Sequence, residues 1–157
     1  MQRAVTGEDT GARAVSDAEM RLEIATAAAN IGIWDWDLLS GEMIYSPRAK
    51  AISGFPVDGE VTFEMVRDIV HPEDYPFTSA QAARAMDPRV RDRNPYEYRI
   101  IRPDGEPRWV LAYGEAVFAQ VDGQTRAVRY VGTLQDITER RRLEDAERGS
   151  AQRLRLA

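Results

Sequence analysis

Apolar and polar positions change their period several times along the 157 residues, and each change marks an element. Met20, Ile24, Ala27, Ala28 and Ile31 recur at helical spacing on one face. Ser16-Asp-Ala-Glu19 precedes them as a capping box, in which the serine oxygen takes an orphan amide and Glu19 reaches back. A helix is therefore expected from Ser16 to a stop at Gly32, with residues 1–15 as a flexible lead-in. Ile33-Trp-Asp-Trp-Asp37 alternates with period two and puts Trp34 and Trp36 on one strand face. Ser40-Gly41 turns the chain into Met43-Ile-Tyr45, which completes a hairpin.

Ser46-Pro47 is a helix-start signal with proline at the first helical position, and this short helix ends near Ser53-Gly54. Thr62 caps a second helix, Phe63 to Val70, whose Phe63, Val66 and Val70 share one side. His71-Pro-Glu-Asp74 breaks it, and an alanine-rich helix follows from about Phe77 to Met86. Asp87-Pro88 opens a charged loop. Three strands then run over Tyr96–Arg102, Pro107–Phe118 and Thr125–Gln135, punctuated by Asp104-Gly105 and Asp122-Gly123. Helix, two strands, short helices, three strands, helix is an α+β order, with an antiparallel sheet and helices gathered on one side.

Charge and composition narrow the function classes. The formal net charge is −5; residues 139–157 carry +2 and residues 1–15 balance, so the segment between carries −7. An acidic body of this kind is not a nucleic-acid surface. Zero cysteines exclude disulfides, thiolate metal sites and any cysteinyl adduct, and one histidine leaves little for a metal, so no metal site is expected. No apolar run approaches a membrane span, which makes a cytoplasmic setting the expectation and membrane insertion unexpected.

The most specific feature is Tyr130-Val-Gly-Thr-Leu-Gln-Asp-Ile-Thr-Glu-Arg-Arg-Arg-Leu-Glu144, an apolar β-like stretch that becomes a charged helical run at Asp136-Ile137-Thr138. With the upstream turn Arg102-Pro-Asp-Gly-Glu-Pro-Arg-Trp-Val110, this block resembles the PAS family of sensory domains. The resemblance runs from about Ser16 to Arg148. It implies a PAS fold: a five-stranded antiparallel sheet with short helices on one side, an N-terminal flanking helix and a C-terminal output helix. The domain boundaries that follow are residues 16–138 for the PAS domain and 139–157 for the output helix. Arg153-Leu-Arg-Leu-Ala157 echoes Arg21-Leu-Glu-Ile-Ala25, and Gly149-Ser150 before it makes a poor helix interior, so a second such domain is expected to begin there.

The family resemblance also frames the candidate chemistry. Haem-binding members take their iron ligand from the helix corresponding to Phe77–Met86, which holds no histidine; His71 reads as a structural helix-start residue, and haem is not expected. Blue-light members hold flavin through a reactive cysteine and polar side chains. Laid on this sequence, their two ring-binding asparagines fall at Ile100 and Val110 and their glutamine at Leu134, which leaves the flavin edge without partners. Cysteinyl-adduct photochemistry is excluded, and no cofactor is firmly expected. The inner sheet face is assigned to Tyr98, Ile100, Val110, Ala112, Gly114, Ala116 and Leu134. With Met86, Tyr98, Ile100, Val110, Ala112, Gly114 and Leu134 are the candidates for a pocket that takes a small, largely apolar ligand.

Trp34, Trp36 and Trp109 read as packing anchors, and Asp35 and Asp37 as solvated acids or arginine partners. Asp136, Ile137 and Thr138 are the expected signal relay: Asp136 accepting hydrogen bonds or pairing with arginine, Ile137 burying, Thr138 capping the first turn. Leu143, Ala146 and Ser150 form only a thin heptad seam. The expected function is a non-catalytic sensory module that detects a small ligand or relays a conformational change to a C-terminal output domain in cis, a sensor histidine kinase or diguanylate cyclase. A homodimer is expected through Met20, Ile24, Ala27, Ala28, Ile31 and the sheet's outer face. Two rivals accompany it. One is a ligand-free dimerisation and relay domain; the other is a small isomerase using a buried acid with Tyr98 or Tyr113, which needs a carboxylate inside the cavity.

Overall fold

The computed structural model describes residues 7–156 of the backbone and the side chains of residues 16–156. The chain divides into two compact units that meet in sequence at Asn30 and Ile31.

The first unit is helix α1, Gly7–Ala28. It begins well before Ser16, so the capping box lies inside a continuous helix and residues 7–15 are helical; residues 1–6 lie outside the described residues. Gly11 costs a helix interior only about 1 kcal/mol, too little to stop it. The stop is also earlier than Gly32. The Asn30 amide donates back to the Ala27 carbonyl, and Asn30 takes a left-handed φ of 55°, a conformation asparagine tolerates better than most residues. Ile31, expected on the helical stripe, is instead the first residue of a strand.

The second unit carries β1 (Ile31–Asp37), β2 (Met43–Tyr45), α2 (Pro47–Ser53), α3 (Phe63–Ile69), α4 (Tyr75–Met86), β3 (Tyr96–Ile101), β4 (Pro107–Val121), β5 (Gln124–Asp136) and α5 (Thr138–Leu156). All five strands form one antiparallel sheet in the order β2-β1-β5-β4-β3. β5 lies at the centre although it comes last, with β1 of the 31–45 hairpin on one side of it and β4 on the other.

Local chemistry sets the boundaries. Ser46 Oγ accepts from the Ala49 amide at 3.2 Å and from the Ile33 amide at 2.9 Å, so one hydroxyl starts α2 and ties it to β1. Thr62 Oγ1 caps α3 by accepting from the Met65 amide at 3.2 Å. Asp122 and Gly123 both take positive φ, 50° and 77°, the backbone of a tight hairpin turn matched to strand twist. β4 and β5 therefore pair further than the alternation pattern implied, out to Val121 and Gln124. α5 runs unbroken through Gly149-Ser150 to Leu156, so the interruption expected there does not occur.

The core lies between the inner sheet face and α2, α3 and α4. Trp34, Ile52, Phe55, Val61, Ile69, Ala85, Ile100, Val110, Ala112, Tyr130 and Leu134 are its buried members. Gly114 and Gly132 face each other across β4 and β5. A Cβ on Gly114 would come within 2.5 Å of the Tyr130 ring, and one on Gly132 within 2.5 Å of the Trp34 indole. The two glycines let those rings lie down on the sheet, edge to face with each other at 4.7 Å between centroids. The space that the small residue at 114 leaves is thus filled by Tyr130.

Candidate functional site: an aromatic cavity and a clamped helix

A cavity of about 100 Å³ opens on the inner face, lined by Trp34, Trp36, Met43, Tyr45, Phe63, Val66, Tyr98, Ala112 and Tyr130. Hairpin register explains the first four: Trp34 pairs with Tyr45 and Trp36 with Met43, so all four share one face. Phe63 and Val66 come from adjacent turns of α3, and the Phe63 ring stacks on Trp36 at 4.7 Å with 11° between planes. Among the described residues no charged side chain lines the cavity. Burial pushes the Tyr45, Tyr98 and Tyr130 hydroxyls upward, so they remain neutral phenols. The Tyr130 hydroxyl is buried; Tyr96 is its neighbour, but the pair does not meet the geometry of a hydrogen bond.

Of the pocket candidates, Tyr98 and Ala112 line this cavity. Ile100, Val110 and Leu134 pack in the core, Gly114 lies beneath the Tyr130 ring, and Met86 packs against the core from α4. Met43, Tyr45, Phe63, Val66 and Tyr130 were not singled out from the sequence as lining residues. Hairpin register and the three-residue spacing on α3 were the signals that could have found them.

The opposite face of the same strands holds α5. The Ile137 amide donates to the Trp109 carbonyl at 2.9 Å, and the Trp109 amide donates to Thr138 Oγ1 at 2.9 Å. The Thr138 hydroxyl donates to Asp136 Oδ1 at 2.6 Å, and the Thr138 amide donates to the same oxygen at 2.9 Å. Thr138 is thus the first helical residue, and the Asp136 carboxylate, rather than the threonine, caps it. Ile137 and Thr138 are buried, and Arg108 Nη1 lies 3.6 Å from Asp136 Oδ2.

Beyond the junction, Glu97 on β3 accepts from Arg140 and, at 2.8 Å, from Arg141. The Arg141 guanidinium lies 3.6 Å from the centre of the Trp109 ring, and Arg99 lies 5.6 Å from it. Arg99 is itself fixed by Asp74, with Nη2 2.7 Å from Oδ1 and Nε 3.0 Å from Oδ2. Those bonds hold the Asp74 carboxyl below its ordinary range. Trp109 therefore stands on the outer face as a platform for arginines, not in the core. Glu97, Arg99, Arg140 and Arg141 were not read from the sequence as site residues.

The remaining candidates are placed as follows. Met20, Ile24, Ala27 and Ala28 lie on α1 and are exposed, and Ile31 is half-buried on β1. His71 Nδ1 accepts from the Glu73 amide at 3.1 Å in the turn before α4. Asp35 pairs with Arg129 through two bonds of 2.8 and 2.6 Å. Asp37 accepts from the Leu39 and Ser40 amides, which lower its pKa. Among the described residues no group of His, Cys, Asp and Glu is arranged to hold a metal, and no helix is long and apolar enough to cross a membrane.

Comparison with known proteins places this geometry. The family described as PAS fold matches residues 42–134. A blue-light-activated histidine kinase of Brucella ovis is 33% identical over 126 residues; the match covers 79% of this chain but only 24% of the kinase, so the chain spans about a quarter of that relative's length. A crystal structure of a sensory box histidine kinase/response regulator from Burkholderia thailandensis superposes with a TM-score of 0.69 at 32% identity, covering 87% of this chain and 99% of that one. The N-terminal domain of a Marinobacter aquaeolei diguanylate cyclase with a PAS/PAC sensor shares the fold, with a TM-score of 0.57 at 19% identity.

Proposed function

The chain belongs to the PAS-fold family, and on that premise we propose that it senses a small ligand in the aromatic cavity and passes the change to α5. One observation carries this reading: β3 and β4 each touch both the cavity and the helix. Tyr98 lines the cavity while Glu97, its neighbour, grips Arg140 and Arg141. Ala112 lines the cavity from β4, three residues from Trp109, whose backbone holds Ile137 and Thr138. A strand that shifts to fit a ligand moves both anchors of the helix together.

The output is a C-terminal domain in cis, of histidine kinase type. The Brucella ovis and Burkholderia thailandensis relatives, each above 30% identity, bear histidine kinase names, and α5 is the helix that follows the sheet in the chain. α1 adds a dimer contact: Met20 and Ile24 are 53% and 64% exposed, an apolar edge suited to a second copy. On this reading the module senses and relays, as a PAS domain, and leaves catalysis to the output domain.

The residues present do not fit flavin. The positions aligned with the ring-binding polar groups are Ile100, Val110 and Leu134, at 2%, 0% and 3% exposure in the core. A cavity near 100 Å³ is smaller than the roughly 150 Å³ that accommodates benzene, and the chain has no cysteine.

A UV–visible spectrum of the purified protein, with mass spectrometry of what denaturation releases, tests the input side. A colourless protein is expected; a stoichiometric flavin or haem overturns the assignment. In the parent protein, an Asp136→Ala, Thr138→Ala pair should uncouple input from output while the domain stays folded, and unchanged regulation refutes the relay.

A further inference from the structure

The wall of the cavity is mostly aromatic. Trp34, Trp36, Tyr45, Phe63, Tyr98 and Tyr130 contribute six rings among its nine lining residues. Trp34 and Tyr130 lie over Gly132 and Gly114, so the sheet backs one face of each ring. The cavity carries no formal charge of its own and offers no anion a countercharge. Trp36, Met43, Tyr45 and Phe63 also line a second, larger hollow of about 630 Å³, so these four side chains partition the two. That outer groove adds Glu42, Glu60 and Glu64. Among the described residues the cation that lines it is Lys50, engaged with the Val57 and Gly59 carbonyls at 2.9 and 2.8 Å.

An uncharged cage of aromatic side chains behind an acidic vestibule suits a small organic cation. Ring quadrupoles attract a diffuse positive charge without the strong desolvation a carboxylate would undergo, and Trp and Tyr do this best. The glutamates raise the local concentration of cations at the entrance. A carboxylate or phosphate ligand meets repulsion in the groove and no countercharge among the cage side chains. Room near 100 Å³ sets the size of the buried group: a methylated ammonium head rather than a fused ring system.

We propose that the cavity binds the alkylated ammonium head of a small organic cation, with Trp34, Trp36, Tyr45, Phe63, Tyr98 and Tyr130 as its cage and Glu42, Glu60 and Glu64 as the entry surface. This rests on the reading of the inner cavity as the ligand site. The Trp36–Phe63 stack, which lies on the partition, is the door the cation passes.

The test titrates the full chain with choline and, separately, with 3,3-dimethyl-1-butanol, its uncharged isostere, following tryptophan fluorescence. Choline should saturate with an affinity at least about tenfold above the isostere. Phe63→Leu keeps an apolar side chain but removes a ring, and should weaken choline about fivefold or more and the isostere by a clearly smaller factor. A Glu60→Gln, Glu64→Gln pair, away from the cage and the core, should reduce choline affinity and flatten its salt dependence. Equal affinity for both compounds overturns the cation assignment and leaves a ligand-binding module for neutral molecules. Binding of neither, with a different compound released on denaturation, also overturns it and keeps the sensory reading. Binding of neither, with no compound released and no ligand found by screening, overturns both.

Discussion

Glu97→Gln removes the carboxylate that holds two arginines of α5 and leaves a side chain of the same shape. Glu97 is 35% exposed, Arg140 48% and Arg141 30%, so each pair is screened and contributes about 0.5–1 kcal/mol rather than the value of a buried bridge. Arg141 keeps its place over Trp109, which contributes about 1 kcal/mol, and the Asp136–Thr138 junction keeps its bonds. The expected loss is therefore about 1–2 kcal/mol, confined to the docking of α5. Local opening at that cost speeds exchange of the protected amides by about 5- to 30-fold. Native-state hydrogen exchange of the first turns, beginning with the Arg141 amide that donates to the Ile137 carbonyl, reads it directly. High salt should mimic the substitution in the unaltered chain and add little to the variant. Unchanged exchange in α5, or a uniform rise that includes β1 and β5, refutes the clamp.

Three further outcomes follow from the geometry. Gly132→Ala sets a Cβ 1.9 Å from the Tyr113 carbonyl oxygen and 2.5 Å from the Trp34 ring; backbone cannot yield that far, so a loss of about 3 kcal/mol or more is expected in urea unfolding, and a change below about 1 kcal/mol contradicts it. Tyr130→Phe removes a buried hydroxyl without a partner and should stabilise by about 1 kcal/mol; destabilisation shows that the hydroxyl is satisfied. Asp74 titrates below its ordinary value because Arg99 bonds its charged form. Its contribution is present above the unfolded carboxylate pKa of about 4 and is lost as pH falls through the lower, folded value. Asp74→Asn should flatten that acid limb of the stability curve, and an unaltered limb speaks against the pair.

How far the sequence carries the fold differs between elements, for physical reasons. Ser46-Pro47, Thr62 and Asp122-Gly123 act through their own backbone neighbourhoods, and the structure places a cap or turn at each. The ends of α1 depended on weaker terms: a capping box does not terminate a helix whose preceding residues also favour it, and Asn30 outcompeted Gly32 as the stop. The Asp136–Thr138 junction was visible because its bonds are mostly local, two residues apart. The clamp was not, because Glu97 and Arg141 are 44 residues apart and meet only when β3 and α5 pack. Trp109 was read with the other tryptophans as a core or interface anchor, whereas strand parity sets it outward beside inward Val110. The cavity wall was half legible: alternation fixed the inner face, but Phe63 and Val66 reach it through the placement of α3.

Coupling between cavity and helix is the central claim, and a spin-label distance across it is the most direct test. The chain has no cysteine, so cysteines at exposed Thr125 and Ala146 accept labels at two chosen points without background. Ala112→Val fills part of the cavity from β4. The account predicts that this substitution shifts the 125–146 distance distribution, and that the shift disappears when Glu97→Gln and Asp136→Asn are added. An unchanged distribution, in a variant whose folding and cavity filling are verified by its thermal melt and NMR spectrum, contradicts the coupling.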